Sequence, residues 1–153
     1  MDGALGGGNG PPVPPAGRPT PDPRALNDLE QDLWRWTNAA RAATGLAPLR
    51  LHPALLRAAR ARCQEIVVTG VLAHASARWS SPHTLQSAFG ARLRVMGGEN
   101  LACCRNLAWV FTGLMGSPDH RANILHPEHR LLGVAVMDFR ACGVAVCQEF
   151  GGD

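Results

Sequence analysis

Apolar residues recur at steps of three and four along the first ordered part of the chain. Leu26, Leu29, Leu33, Trp36, Ala40 and Ala43 form one stripe with polar residues between them. That spacing predicts a helix from about Arg24 to Ala43. Asn27 and Glu30 suit a capping pair at its start, and Gly45 supplies the stop. A second helix opens at Pro53, where the missing N–H costs nothing. Leu55, Leu56, Ala59, Cys63, Ile66 and Val67 make its core face, with Arg57, Arg60 and Arg62 on the wet side, and Gly70 ends it. Trp79 to Pro82 read as a loop, and Thr84 to Arg94 as a short helix with Leu85, Phe89 and Leu93 on one side. His83, just before it, faces solvent in this reading.

The segment Asn106 to Ser117 is apolar enough for a buried helix, stopped by Pro118 because proline disfavours the α region in the residue before it. Two β-rich runs follow, Leu131 to Met137 and Cys142 to Phe150, joined by a polar turn at 138–141. They read as an antiparallel hairpin. In the second run Val144, Val146, Gln148 and Phe150 share one face, and Cys147 and Glu149 lie on the other. Cys142 and Cys147 therefore point to opposite faces. With a short strand near Glu99, the elements make a small α+β domain over 24–153. Residues 1–23 are Gly- and Pro-rich and cannot bury enough apolar surface to offset their chain entropy. They read as a disordered linker.

The chain has 153 residues, enough for one domain with a core. All fifteen basic residues are arginine, scattered, and the net charge is only +3. Nucleic-acid binding asks for a clustered basic stripe, so no nucleic-acid partner is expected. No apolar run reaches the length of a membrane span. The start Met1-Asp2-Gly3 has no basic residue and no apolar stretch behind it, so a signal peptide is not read in this sequence. Five cysteines, Cys63, Cys103, Cys104, Cys142 and Cys147, allow at most two internal disulfides and leave one thiol. Cys103 and Cys104 are neighbours, a pair that seldom bridges without strain. Buried free thiols and a disulfide framework both stay open.

Chemistry concentrates between Met96 and Leu125. Gly97-Gly98 lets the backbone turn tightly ahead of an acid, in Gly98-Glu99-Asn100-Leu101-Ala102. After the apolar helix comes Ser117-Pro118-Asp119-His120-Arg121-Ala122-Asn123-Ile124-Leu125. The first stretch resembles the Gly-Glu-Asn box of the CAP superfamily, the SCP-like extracellular proteins. The second resembles the Ser-Pro-Gly-His-Arg-x-Asn-Ile-Leu box of that superfamily's bacterial branch. Asn38-x-x-Arg41, the exit at 45–49 and the closing Gln148-x-Phe150 are also similar to it, so the likeness runs from about Leu26 to Phe150. For Asn38 and Arg41 a structural polar role is favoured over catalysis.

The resemblance implies an α-β-α sandwich with a small central antiparallel sheet, in a protein secreted or held in the cell envelope. It also implies a cavity lined by two histidines and acids. His74, in Leu-Ala-His-Ala-Ser, Glu99 and His120 map onto it. The acid that plant and animal members carry on the preceding helix is missing here, and Ser117 takes its place. Asp119 is the nearest substitute, read as a turn cap. His74, His120 and Glu99 form a plausible set for zinc or another divalent metal with water in the open position. No other cofactor is expected, and the chain is expected to be monomeric. No nucleophile–base–orienter set is apparent, with Ser76 and Ser117 the nearest hydroxyls. His126 and His129, flanking Pro127-Glu128, are expected at the surface. The reading is a non-enzymatic module binding a lipid, glycan or peptide in a cleft at His74, Glu99, His120 and Ser117. The alternatives are a zinc-dependent hydrolase and a structural adhesion domain.

Overall fold

The computed structural model describes residues 25–153. The expected linker at 1–23 lies outside the described residues. The elements run α1 (Asp28–Ala43), β1 (Arg50–Leu51), α2 (Pro53–Thr69), α3 (Pro82–Ala88), β2 (Val95–Cys104), α4 (Leu107–Gly116), α5 (Pro118–Ile124), β3 (Leu131–Phe139) and β4 (Gly143–Gly152). The sheet order is β1-β3-β4-β2. Its three long strands are antiparallel, and β1 adds a two-residue parallel edge beside β3.

Helices cover both faces. Leu33 of α1, Leu107, Val110 and Leu114 of α4 and Ile124 of α5 pack on Val134, Val136, Val144, Val146 and Phe150. On the other face Ala59, Cys63 and Ile66 of α2 meet Leu101, Ala135, Ala145 and Cys147. Both alternating sets of β4 are therefore buried, as in any strand covered on two sides. The helix α2 lies so close to the sheet that a Cβ at Gly133 would fall 2.0 Å from the Leu55 carbonyl oxygen.

The hairpin, the α2 start at Pro53 and the capping box at Asn27 and Glu30 are as expected. Four readings change. The third helix spans Pro82–Ala88, because Ser81 caps it by accepting from the Thr84 amide and Pro82 fits its first turn. His83 thus lies inside that helix, exposed, with Nε2 at 3.2 Å from the Gly97 carbonyl. Pro118 ends α4 and also begins α5, so His120 sits within a helix instead of a loop past one. Near Glu99 there is a ten-residue strand with a register shift between Met96 and Glu99. Gly97 serves close approach there: a Cβ would fall 1.6 Å from the Phe150 carbonyl oxygen.

The fourth change is His129, which is 2% exposed. Its ring stacks between His126, with centroids 4.3 Å apart, and Phe150 at 5.2 Å. Its Nδ1 lies 2.9 Å from the Asn123 carbonyl, the geometry of an N–H donating to that oxygen. Burial pulls its pKa down to about 4, outweighing the Asn123 carbonyl, with His126 and Arg41 pushing the same way as burial. Folding therefore favours the neutral ring. This contribution is complete above the ordinary histidine pKa near 6.5 and is lost as pH falls towards about 4. It amounts to roughly 3 kcal/mol. Urea unfolding between neutral pH and the acid end of that window should show this loss, and His129→Gln should flatten it. An equal slope in both proteins would rule out His129 as the source.

Candidate functional site

The site is built where α2, the segment after it and β2 meet. Arg62 projects from α2 and is fully buried. Its Nε donates to Glu99 Oε2 at 3.1 Å, and its other nitrogens reach Glu65 Oε1 at 3.4 Å and the His74 carbonyl at 2.8 Å. The guanidinium also lies 5.7 Å from the centroid of the Trp79 ring, within reach of a cation–π contact. One residue thus ties the segment carrying His74 to the sheet. The placement of Arg62 on the wet face of α2 is overturned, because that side of the helix faces the loop and β2.

Glu99 is the centre of the group. Its second oxygen, Oε1, lies 2.8 Å from His74 Nδ1. That geometry suits Nδ1–H donating to the carboxylate, which fixes the tautomer and leaves Nε2 as the free nitrogen. The His74 side chain is 55% exposed while that of Glu99 is fully buried. The ring is anchored from below and open above.

Directly across the sheet Glu99 faces Glu149. Two carboxylates side by side out of water cannot both ionise. Burial, then the hydrogen bond and negative charge of Glu99, push the Glu149 pKa well above the usual range, so Glu149 holds a proton. Gln86 Nε2 donates to Glu149 Oε2 at 2.8 Å, and the Cys147 thiol donates to Oε1 at 3.3 Å. Burial drives the Cys147 thiol well up as well.

Glu99, Cys147 and Glu149 bring donor atoms within 4.8 Å of one another, and among the described residues this is the grouping compact enough to hold a metal ion. It contains neither histidine of the expected set. Two of its members are held protonated, and the Arg62 guanidinium already neutralises the third. This set fits a shared proton better than a cation.

The opposite side of β2 joins the two sequence motifs. Asn100 Nδ2 donates to the His120 carbonyl at 3.0 Å and to Gln148 Oε1 at 3.1 Å. Asn123 Nδ2 donates to Asn100 Oδ1 at 2.9 Å, and Gln148 Nε2 donates to Thr37 Oγ1 at 2.9 Å. A Cβ at Gly98 would fall 2.3 Å from Asn123 Oδ1, so a side chain there would displace the Asn123 amide from Asn100. The helix carrying His120 is thereby pinned to the strand carrying Glu99. His74 and Glu99 are in direct contact. His120 is half-buried, and its link to this group is the backbone one through Asn100. Ser117 lies between α4 and α5, its amide donating to Leu114 and its carbonyl accepting from Arg121. Asp119 is exposed in the first turn of α5.

Asn38 and Arg41 prove structural. Asn38 Oδ1 accepts from the Leu49 amide at 2.7 Å, and its Nδ2 donates to the Leu49 carbonyl at 3.1 Å. Arg41 spends its guanidinium on four backbone carbonyls.

This arrangement matches known proteins. A family model for the cysteine-rich secretory protein family, CAP, covers residues 34–150. The uncharacterized protein YkwD of Bacillus subtilis is 31% identical over 120 residues, which is 78% of this chain and 46% of that protein. The chain thus spans about half the length of this curated relative. An extracellular protein containing an SCP domain from Bacillus anthracis superposes with a TM-score of 0.74 at 21% identity, covering 82% of this chain and 40% of that one. An outer surface protein of Borrelia burgdorferi gives 0.75 at 15% identity, covering 82% and 92%. Among the described residues no helix is long and apolar enough to cross a membrane. The motif pair at 98–102 and 117–125, welded by Asn100 and Asn123, sits within the matched span, and the chain belongs to the CAP family.

Proposed function

We propose that this CAP domain is a non-enzymatic module of an extracellular or cell-envelope protein, holding a lipid, glycan or peptide in a cleft at His74, Glu99, His120 and Ser117. The observation that carries the reading is His74: a ring anchored at 2.8 Å by a buried carboxylate, with its outer nitrogen left to solvent. A groove of about 660 Å³ lies beside the segment that carries His74, lined by Val68, Val71, Ala73, Ala75, Trp79 and Phe89, with none of His74, Glu99, His120 and Ser117 in its wall. A concave, mainly apolar surface is the usual form of a ligand site, and a ligand seated in it could extend to the neighbouring His74 ring. The location follows the relatives, described as an extracellular and an outer surface protein.

Catalysis finds little support. The Ser76 hydroxyl accepts from the Arg78 and Trp79 amides at 3.3 and 3.1 Å, which makes it a turn cap and not a nucleophile. One observation favours a metal-dependent hydrolase as second reading. A histidine whose Nδ1 is held by a carboxylate is oriented to ligate through Nε2. In that case His74, with His120, would hold the ion. Glu99 would orient His74 from behind, since both its oxygens already have partners. Zinc bound there would act as a Lewis acid or lower the pKa of its water.

Thermal-shift screening with lipids, wall glycans and peptides tests the main reading, because a ligand of the native state raises stability by mass action. A stabilising ligand is expected for the wild type and should be lost in His74→Ala. Zinc calorimetry and hydrolysis assays run beside it. Metal-stimulated turnover abolished by His120→Ala would replace the module by the hydrolase. Silence in every assay would leave the adhesion domain.

A further inference from the structure

β2 is the outer strand of the sheet, at the opposite edge from β1. A strand there carries one row of backbone groups with no neighbouring strand to bond them. The hydrogen bonds of the other strands show which groups these are. The Leu132 carbonyl accepts from the His52 amide at 3.0 Å, beside β1. Leu132 therefore turns its backbone away from β4, and its partner Phe150 turns towards β2. The Arg94 amide, just before β2, donates to the Gly152 carbonyl at 3.0 Å and agrees with this. β3 and β4 pair without a break, so Gln148, Val146 and Val144 also turn to β2. They meet Asn100, Ala102 and Cys104. The alternate residues Glu99, Leu101 and Cys103 point their backbone groups outward.

Part of this row is covered. The Gly97 carbonyl lies 3.2 Å from His83 Nε2, and the Glu99 carbonyl accepts from Asn123 Nδ2 at 3.4 Å. Among the described residues the amides and carbonyls of Leu101 and Cys103 have no partner. Natural edges are blunted by charges or proline, and the stretch from Asn100 to Cys104 has neither. α4 continues the same strip. It leaves β2 after Cys104 and delivers α5 to the other end, where Asn123 and the His120 carbonyl meet Asn100. It therefore runs back along β2. Its exposed side is Ala108, Trp109, Thr112, Gly113 and Gly116, without a charge, and Trp109 is 60% exposed. Glycine weakens a helix interior. A Cβ at Gly113 or Gly116 would meet nothing within 4 Å. Packing inside the domain does not ask for these glycines, whereas close approach from outside does.

We propose that a second copy of this chain docks on this strip, β2 against β2, antiparallel about a two-fold axis at Ala102. Leu101 then faces Cys103 of the partner subunit and exchanges both backbone hydrogen bonds with it, and the symmetric pair does the same. The two four-stranded sheets become one. Ala102 sits on the axis, where opposed residues come closest, and it is small. Two properties select a copy of this chain as the occupant. The free groups of Leu101 and Cys103 are symmetric about Ala102, so the edge is its own complement. The strip also carries no charge, so copies of a chain with net charge +3 meet there without like charges opposed. α4 lies on the same face of the sheet in both copies, and its glycines let the two helices approach.

The test uses the full chain with a phosphine reductant, which keeps all five thiols free. In sedimentation equilibrium the mass should rise from 16.3 kDa towards twice that value as the concentration goes from micromolar to millimolar. Cys103→Pro removes an outward N–H and no bond to β4. It should stay at 16.3 kDa throughout while keeping the wild-type circular dichroism. Hydrogen exchange of the wild type, resolved to single amides, needs no variant. Leu101 and Cys103 should exchange about tenfold more slowly in concentrated than in dilute protein, with Asn100, Ala102 and Cys104 slow in both. A mass of 16.3 kDa at every concentration overturns the proposal. So does a dimer that leaves the Leu101 and Cys103 amides exchanging as in dilute protein, or one that persists in folded Cys103→Pro.

Discussion

Replacing Arg41 by alanine should lower the unfolding free energy by about 3–5 kcal/mol. Arg41 is fully buried in α1 and has no carboxylate partner among the described residues. Its guanidinium donates to the carbonyls of Ala47, Ile124, His126 and His129, at distances from 2.7 to 3.1 Å. Those carbonyls belong to the connection after α1, to the last residue of α5 and to the connection between α5 and β3. Removing the side chain leaves several acceptors without partners and opens a cavity under both connections. Each buried acceptor left unmet costs about 1–3 kcal/mol. Burial lowers the Arg41 pKa, but an arginine stays charged. Arg41→Lys therefore keeps the charge and loses the planar fork, and a single ammonium cannot reach both connections. It should recover less than half of the loss. Urea midpoints at neutral pH measure both variants. A cost below about 1 kcal/mol for Arg41→Ala would mean that water replaces the lost donors easily.

This residue also shows what the sequence made legible. Asn38 and Arg41 stood in a helix as polar residues with a structural role, and the structure gives them that role. Three of the four Arg41 partners were out of reach of periodicity, because backbone carbonyls 83 to 88 positions away carry no sequence signal. The hairpin and the helix caps could be read because each rests on local chemistry. The start of α5 could not be read from the rule that proline ends a helix. Pro118 does both, since the first turn of the next helix accepts a residue without an N–H.

The candidate site was half legible. His74 and Glu99 were named from motifs, and they touch. Arg62 was missed, although a signal existed. It lies three residues after Ala59 and four before Ile66, squarely on the apolar stripe of α2. A charge at such a position is paired or it is not there. Glu149 was placed on the right face of β4. Its burial depended on α2 covering that face, and a single strand's alternation cannot reveal that both sides are covered. Gly97 and Gly98 were read as a turn. They are small because Phe150 and Asn123 approach them, a fact of tertiary packing.

The second large effect belongs to Glu99→Ala, expected to cost about 3–5 kcal/mol by leaving the Arg62 guanidinium buried without its main partner. Arg62 would keep Glu65 at 3.4 Å, the His74 carbonyl and the Trp79 ring. The same change frees the His74 ring from its 2.8 Å anchor. Two consequences separate the charge from the shape. Glu99→Gln keeps the volume and removes the ionic partner of Arg62, so it should approach the alanine cost. Arg62→Met in the Glu99→Gln background should restore part of the lost stability, because the buried cation is gone. Glu149 gives the pH signature. Its folded pKa is raised, so its contribution is complete below the ordinary carboxylate range and declines as pH rises towards the raised value. Without the Glu99 charge beside it, Glu149 ionises more readily, and that decline should become shallower in Glu99→Gln. Stability measured across this range, wild type against variant, tests the coupling of the two carboxyls. Parallel curves would show that burial alone, and not Glu99, keeps the proton on Glu149.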